Sequence, residues 1–357
     1  MSPFFKVFLF CFSLTFLPAR CEKRPDPGIQ NEPEVQSVII IDTVIYSPGL
    51  ENNLLGDSPE RKVMVYLPPE YYDNPDKRYP VLYLLHGFTR DYRNWEIGIP
   101  DLSLKRVLTN SIDQGLIKPM IVVSPDSKNQ YRGSFYANST VTGNWEDFIV
   151  QDVVQFMDET FRTIPHADSR GIAGHSMGGH GAMKLAMKHP SVFCAVYAFS
   201  GALISFEDVL LGTMKEFLLQ AAQNNSWSYE DRWEVKATNA AAVAFAPDTS
   251  QSPIMCRYPI TVNGEVIDSI WQIWLGHDPS SMIPAYKDSL MKLKAIQFDC
   301  GKSDLYQYVE STSFSKALDY NNIEHQFNSY EGDHSDGVGK RMQENALPFF
   351  SDKLVHE

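Results

Sequence analysis

The chain has 357 residues, 43% of them hydrophobic and 12% aromatic, enough to bury one large core or two ordinary ones. A formal net charge of -13, with no long Lys/Arg run, argues against a nucleic-acid or anionic-membrane surface, and no nucleic-acid partner is expected. Cysteines at 11, 21, 194, 256 and 300 form no CxxC or His/Cys cluster, so no structural zinc, other metal or cofactor is expected.

In chain order, residues 1–21 read as a secretory signal peptide. Lys6 precedes the apolar run from Val7 to Leu17, which is too short to span a bilayer, so no stable membrane insertion is expected. Export to the periplasm or the medium follows, with lipid attachment at Cys21 as the minor alternative, which Arg20 fits poorly. Residues 22–36 carry Pro25, Pro27 and Pro33 and read as a linker. One domain is then expected over 37–357. Of the cysteines beyond the leader, Cys194, Cys256 and Cys300, two could pair or all three could stay buried thiols.

Strand and helix patterns alternate from there. Ser37 to Tyr46 and Lys62 to Leu67 are rich in Val and Ile. The runs 80–85 and 119–123 are continuously apolar, as in strands buried on both faces. Residues 146–161 carry Phe148, Ile149, Val153, Phe156 and Met157 at helical spacing. Further strands are read near 170, over 193–198, 295–298 and 324–330, with a helix near 312–319 and a last helix over 338–354. This order predicts an α/β fold with a mostly parallel central sheet, helices on both faces, and ligands bound outside the carboxyl ends of the strands. Between about 202 and 292 the alternation breaks in a stretch holding Trp227, Trp233, Trp271 and Trp274. This reads as a cap-like insertion, whose tryptophans are more readily core than ligand-stacking.

The chemistry is carried by Gly174-His175-Ser176-Met177-Gly178-Gly179, set between the strand-like Arg170 to Ala173 and a helix-like run from Gly181. A strand, a sharp turn bearing Ser and a helix is the context that makes Gly-x-Ser-x-Gly a nucleophile elbow. Such a serine needs a histidine base and a carboxylate to orient it, in the chain order Ser, acid, His. Of the later histidines, His334 follows the last strand in the loop Glu331 to Gly337 and is the base candidate. The acid should follow the preceding strand, which ends at Asp299-Cys300-Gly301-Lys302-Ser303-Asp304. Asp304 is the stronger candidate, because Gly301 permits a turn that swings it toward His334, and Asp299 the alternative, while helix capping is the bland role for Asp304. Asp333 is read as shaping the His334 loop. Two backbone amides should hold the oxyanion: Met177, after the nucleophile, and Phe88, in the turn His86-Gly87-Phe88. For His86, strand-end packing and direct catalysis weigh equally.

Together these segments resemble the putative-esterase branch of the α/β-hydrolases, which includes feruloyl esterases, enterochelin esterases, S-formylglutathione hydrolases and mycolyltransferases. The resemblance runs from Val63 to Phe350 and implies Ser176, Asp304 and His334 as catalytic residues, with Phe88 and Met177 as oxyanion donors. It also points to Trp95, in Asn94-Trp95, and Trp145, in Asn144-Trp145-Glu146-Asp147-Phe148, as substrate-pocket residues. Many members have a Gly-rich run after the His-Gly, where this chain has Thr89-Arg90-Asp91. The leader disfavours the cytosolic S-formylglutathione hydrolases. The implied function is a secreted serine esterase working through an acyl-enzyme on small-molecule or carbohydrate esters, with feruloyl or acyl groups on polysaccharide foremost. The alternatives are acyl transfer of the mycolyltransferase type, or a catalytically silent glycan- or siderophore-binding protein.

Overall fold

The strand Val81–Leu85 shows why the core is double. Side chains alternate across a pleated strand, and both sides here are apolar. Val81, Tyr83 and Leu85 enter one hydrophobic cluster and Leu82 and Leu84 the other, so the sheet is buried from both faces. The computed structural model describes residues 36–357. The expected leader, the Cys21 alternative and the linker up to residue 35 lie outside the described residues.

Eight strands form the sheet: β1 (Ile39–Tyr46), β2 (Glu60–Leu67), β3 (Val81–Leu85), β4 (Ile121–Pro125), β5 (Arg170–His175), β6 (Ala195–Phe199), β7 (Ala295–Gly301) and β8 (Gln326–Tyr330). Their spatial order is β1-β2-β4-β3-β5-β6-β7-β8. β1–β2 and β2–β4 are antiparallel, and every later pairing is parallel. This is the α/β-hydrolase fold.

Helix α1 (Leu104–Asp113) packs on the face that takes Leu82 and Leu84. The opposite face receives α2, a continuous run of Trp145–Asp147, a π-helical Phe148–Val153 and Val154–Thr160, and also α3 (Met177–Lys188). The stretch between β6 and β7 is helical: α4 (Lys215–Asn224), α5 (Trp233–Phe245), α6 (Asp268–Leu275) and α7 (Pro279–Leu290). The helix expected near 312–319 is the second half of α8 (Leu305–Tyr320). Its inward positions include Gln307, Glu310 and Ser311, polar residues that hide the apolar period in its first half. The last helix, α9, runs through Val338–Arg341, a π-helical Met342–Ala346 and Leu347–Lys353. Cys194, Cys256 and Cys300 are buried free thiols.

Candidate active site

The turn between β5 and α3 holds Ser176 at φ 58, ψ -120, a strained conformation for a residue with a side chain. Backbone bonds fix it from both sides. Ser176 N–H donates to Phe199 O (3.0 Å), and Ser176 O accepts from His180 N–H (3.0 Å) and Ala202 N–H (3.1 Å). The neighbouring glycines are steric necessities. A Cβ on Gly174 would strike the Gly178 backbone, and one on Gly178 would strike the backbone of Leu85 and His86.

The loop after β8 carries His334 to the same sheet edge. His334 Nδ1–H donates to Asp304 Oδ2 at 2.7 Å, and Asp304 is buried while His334 is about one third exposed. Asp304 stands at the N-terminus of α8, yet its carboxylate caps no helix amide and is committed to His334. The Cys300 thiol lies 3.7 Å from the same oxygen. Asp299 is occupied elsewhere: it pairs with the Arg341 guanidinium and accepts from Tyr197 Oη at 2.6 Å. Gly301 acts differently from the turn glycine its sequence suggests. Its φ is unremarkable, but a Cβ there would run into Gly332 O and Asp333 O, so the strand end and the histidine loop pass at backbone contact. Ser303 N–H donates to Gly332 O (3.0 Å) at that crossing. Asp333 shapes the loop by accepting from Ser335 N–H at 3.1 Å.

His175 joins the site without having stood among the sequence candidates. It is buried, and its Nε2–H donates to the carbonyl of His334 at 2.8 Å, with ring centroids 4.6 Å apart. Burial holds its pKa well below the ordinary histidine value, so it is a neutral donor. The signal was its place beside the serine, where the last residue of a central strand faces whatever loop crosses the sheet edge.

Phe88 and Met177 meet Ser176 at the cleft, and neither backbone amide donates to an acceptor among the described residues. The turn before them is held by His86. Its Nε2 accepts from Ser127 N–H (2.9 Å), which leaves Nδ1–H to donate to Gly87 O (2.9 Å), and Tyr136 Oη donates to its carbonyl (2.8 Å). Fully buried, with its pKa lowered by desolvation, His86 is a loop brace. Thr89 N–H donates to Arg132 O (2.9 Å), and a Cβ on nearby Gly133 would come within 2.5 Å of Met177 Sδ and 2.7 Å of Phe88. The loop of residues 127–136 thus clamps both amide-bearing segments.

Ser176, His334, Asp304, Phe88 and Met177 line one cleft of about 610 Å³. Its far wall comes from the stretch between β6 and β7, including Val209, Leu210, Met214 and Ala241, and from Gln307 and Glu310 of α8. Trp233 stands at this cleft half-exposed. The pocket expectation for Trp95 and Trp145 is corrected: both are fully buried and neither lines the cleft. Trp95 packs on Phe199 (centroids 5.8 Å apart) under α1, on the other face of the sheet from α3. Trp145 donates from Nε1 to Thr142 O (2.7 Å) and lies beneath the Arg61 guanidinium. Large apolar rings next to site motifs were drawn into the two cores instead. Glu310 and Gln307 went unread because helical periodicity marks apolar positions, and these polar residues occupy inward ones.

The profile of the family described as "Putative esterase" matches residues 58–338. The chain belongs to this esterase family. An esterase of Mycobacterium tuberculosis is 33% identical over 158 residues, 42% of this chain and 31% of that protein. An endo-1,4-beta-xylanase/feruloyl esterase of Xylanibacter ruminicola is 32% identical over 138 residues, 36% of this chain and 18% of that protein. The chain thus spans about a third or less of the length of these relatives. A solved ferulic acid esterase superposes with a TM-score of 0.62 at 21% identity, covering 89% of this chain and all of that one, a likeness of fold. Within this esterase-family chain the elbow, acid and histidine segments fall in the order Ser, Asp, His.

Proposed function

We propose that the protein is a serine carboxylic-ester hydrolase working through an acyl-enzyme. The observation that carries this reading is the 2.7 Å His334–Asp304 bond, in one cleft with a strained Ser176 and two unused amides. Asp304 fixes the tautomer with the proton on Nδ1, which leaves Nε2 as the base. As Ser176 Oγ attacks the ester carbonyl, its proton passes to His334 Nε2 and the carbonyl oxygen becomes an oxyanion held by the Phe88 and Met177 amides. Collapse expels the alcohol, which takes the proton from His334. Water, deprotonated by His334, then attacks the acyl-enzyme and releases the acid with Ser176 restored. Ser176 and His334 share no hydrogen bond in the resting structure. That contact closes when the ester is seated.

The substrate class we favour is acyl esters of carbohydrates, feruloyl esters foremost. The feruloyl esterase activity named for a relative supports this, as does half-exposed Trp233 at the cleft, its ring centroid 6.3 Å from that of Tyr306. Such faces stack on sugar or aromatic rings. The leader-like residues 1–21 support export from the cytoplasm. The test is a serine-reactive phosphonate with mass mapping of the adduct, beside turnover of 4-nitrophenyl acetate and methyl ferulate. Modification of Ser176 with loss of turnover is expected, and continued turnover by a Ser176→Ala protein would defeat the reading. Finding mature protein in the medium or periplasm that lacks residues 1–21 would test export, and retention of the leader in the cytoplasm would refute it.

A further inference from the structure

The cleft contains a carboxyl group that the mechanism does not use. Glu310, on α8 about two turns beyond Asp304, lies in the cleft wall and is fully buried. One oxygen, Oε2, accepts from Leu203 N–H at 2.9 Å, while the other, Oε1, has no hydrogen-bond partner among the described residues. Leu203 itself is held at φ 57, with its carbonyl within 2.6 Å of His180 Nδ1. Glu310 therefore braces the segment whose Ala202 N–H holds the Ser176 carbonyl. Bracing uses only Oε2.

Burial is the main influence on this carboxyl and, with Asp278, Asp304 and Asp208 adding to it, keeps its pKa well above the usual carboxylate range. A neutral carboxyl whose Oε2 accepts carries its proton on Oε1. A buried O–H with no acceptor is unfavourable, and few native groups stay so. The wall it shares is largely apolar: Leu203, Val209, Leu210 and Ala241 are all buried, with Gln307 and Thr238 the other buried polar residues on that side. A mostly apolar wall with a few placed polar groups, one of them a carboxyl lacking an acceptor, is how a site selects a largely apolar group bearing an oxygen. The enclosed side also suits the acyl half of an ester. The acyl group stays bound between the two chemical steps, whereas the alcohol must leave past the open rim at Trp233 and Leu305, the latter 76% exposed.

We infer that Glu310 is a specificity-determining residue: its Oε1–H donates to a hydroxyl, ether or carbonyl oxygen on the acyl group of the substrate, some distance from the scissile carbonyl. This rests on the esterase reading and narrows it to oxygen-bearing acyl groups.

The test measures kcat/KM for 4-nitrophenyl esters of 3-phenylpropanoic acid and of its ring-hydroxylated and ring-methoxylated derivatives, in wild type, Glu310→Leu and Glu310→Gln. Wild type should favour at least one oxygen-bearing ester over the parent by about 10-fold or more. Glu310→Leu should bring that ratio to within about 3-fold of unity. Glu310→Gln, whose amide still donates, should keep a clear part of it. A wild type that does not discriminate, or a Leu variant that keeps the wild-type ratio, overturns the inference. Should the Leu variant not fold, the Gln variant and wild type still decide: discrimination lost in Gln as fully as a non-donor would lose it also overturns it. If wild type turns over none of these esters and no phosphonate adduct forms at Ser176, the esterase reading fails as well. Adduct formation without discrimination sinks the Glu310 role alone.

Discussion

A methyl group added at Gly301 should disable the site without removing any catalytic atom. The Gly301→Ala Cβ would stand 2.8 Å from Asp333 O and 2.8 Å from the Gly332 carbonyl carbon, and closer still to Gly332 O. These are backbone atoms, so no rotamer change relieves the clash. Restoring ordinary contact at about 3.4 Å requires the histidine loop to retreat by at least about 0.6 Å at the residue before His334. A misplacement near 1 Å costs on the order of 100-fold in rate, and overpacking costs about 1–3 kcal/mol of stability. Gly301→Ala should therefore lower kcat/KM for 4-nitrophenyl acetate by about 100-fold and Tm by about 2–10 °C. Gly212, where an added Cβ would meet nothing within 4 Å and φ is not positive, supplies the control, and Gly212→Ala should stay within about 2-fold of wild type. Steady-state hydrolysis and calorimetry on the two variants suffice. A Gly301→Ala protein within about 3-fold of wild-type kcat/KM would refute the claim that strand end and histidine loop are held at backbone contact.

Other substitutions probe separate links. Asp304→Asn should lower kcat by about three to four orders of magnitude with KM little changed, because an amide no longer fixes the Nδ1–H tautomer, and burst and steady-state kinetics would measure this. His175→Ala should lower kcat by about 10-fold by freeing the His334 carbonyl, and His175→Gln, which can donate to the same atom, should recover part of it. Glu146, buried against Lys188 (2.6 Å) and His189 (2.9 Å), has its pKa set by burial acting upward and by those partners acting downward, with the partners prevailing to bring it to about 2. Its folded pKa lies below the unfolded value, so its contribution is present above about 4.5 and fades as pH falls toward 2. Glu146→Gln should cost about 2–3 kcal/mol in urea unfolding at pH 7 and much less at pH 3, and an equal cost at both would contradict the linkage.

The sheet was readable because its central strands are buried twice over. Val81–Leu85 and Ile121–Pro125 are apolar at nearly every position, a pattern that a helix of that length would not need. Ser176, Asp304 and His334, which the structure gathers at one cleft and to which the proposed mechanism assigns the chemistry, stood out in the sequence because each follows a strand end among glycines. Trp95 and Trp145 were misread because sequence proximity to a motif carries no information about which face of the sheet receives a ring. His175 and Glu310 escaped notice for a related reason. Each matters through a long-range partner, the His334 carbonyl for one and the cleft lined from the β6–β7 stretch for the other, and local patterns do not encode such partners. Gly301 was noticed, but as a turn former; only the crossing of two loops shows that space, and not φ, requires it.

The most direct measurement is rapid mixing with a 4-nitrophenyl ester, acid quench, and mass mapping of the trapped protein. The mechanism predicts a burst approaching one equivalent of 4-nitrophenol when deacylation is slow, with the acyl mass on Ser176 and none acquired by His334→Ala on the same timescale. Steady turnover with Ser176 unmodified, or with the acyl group on another residue, would contradict it.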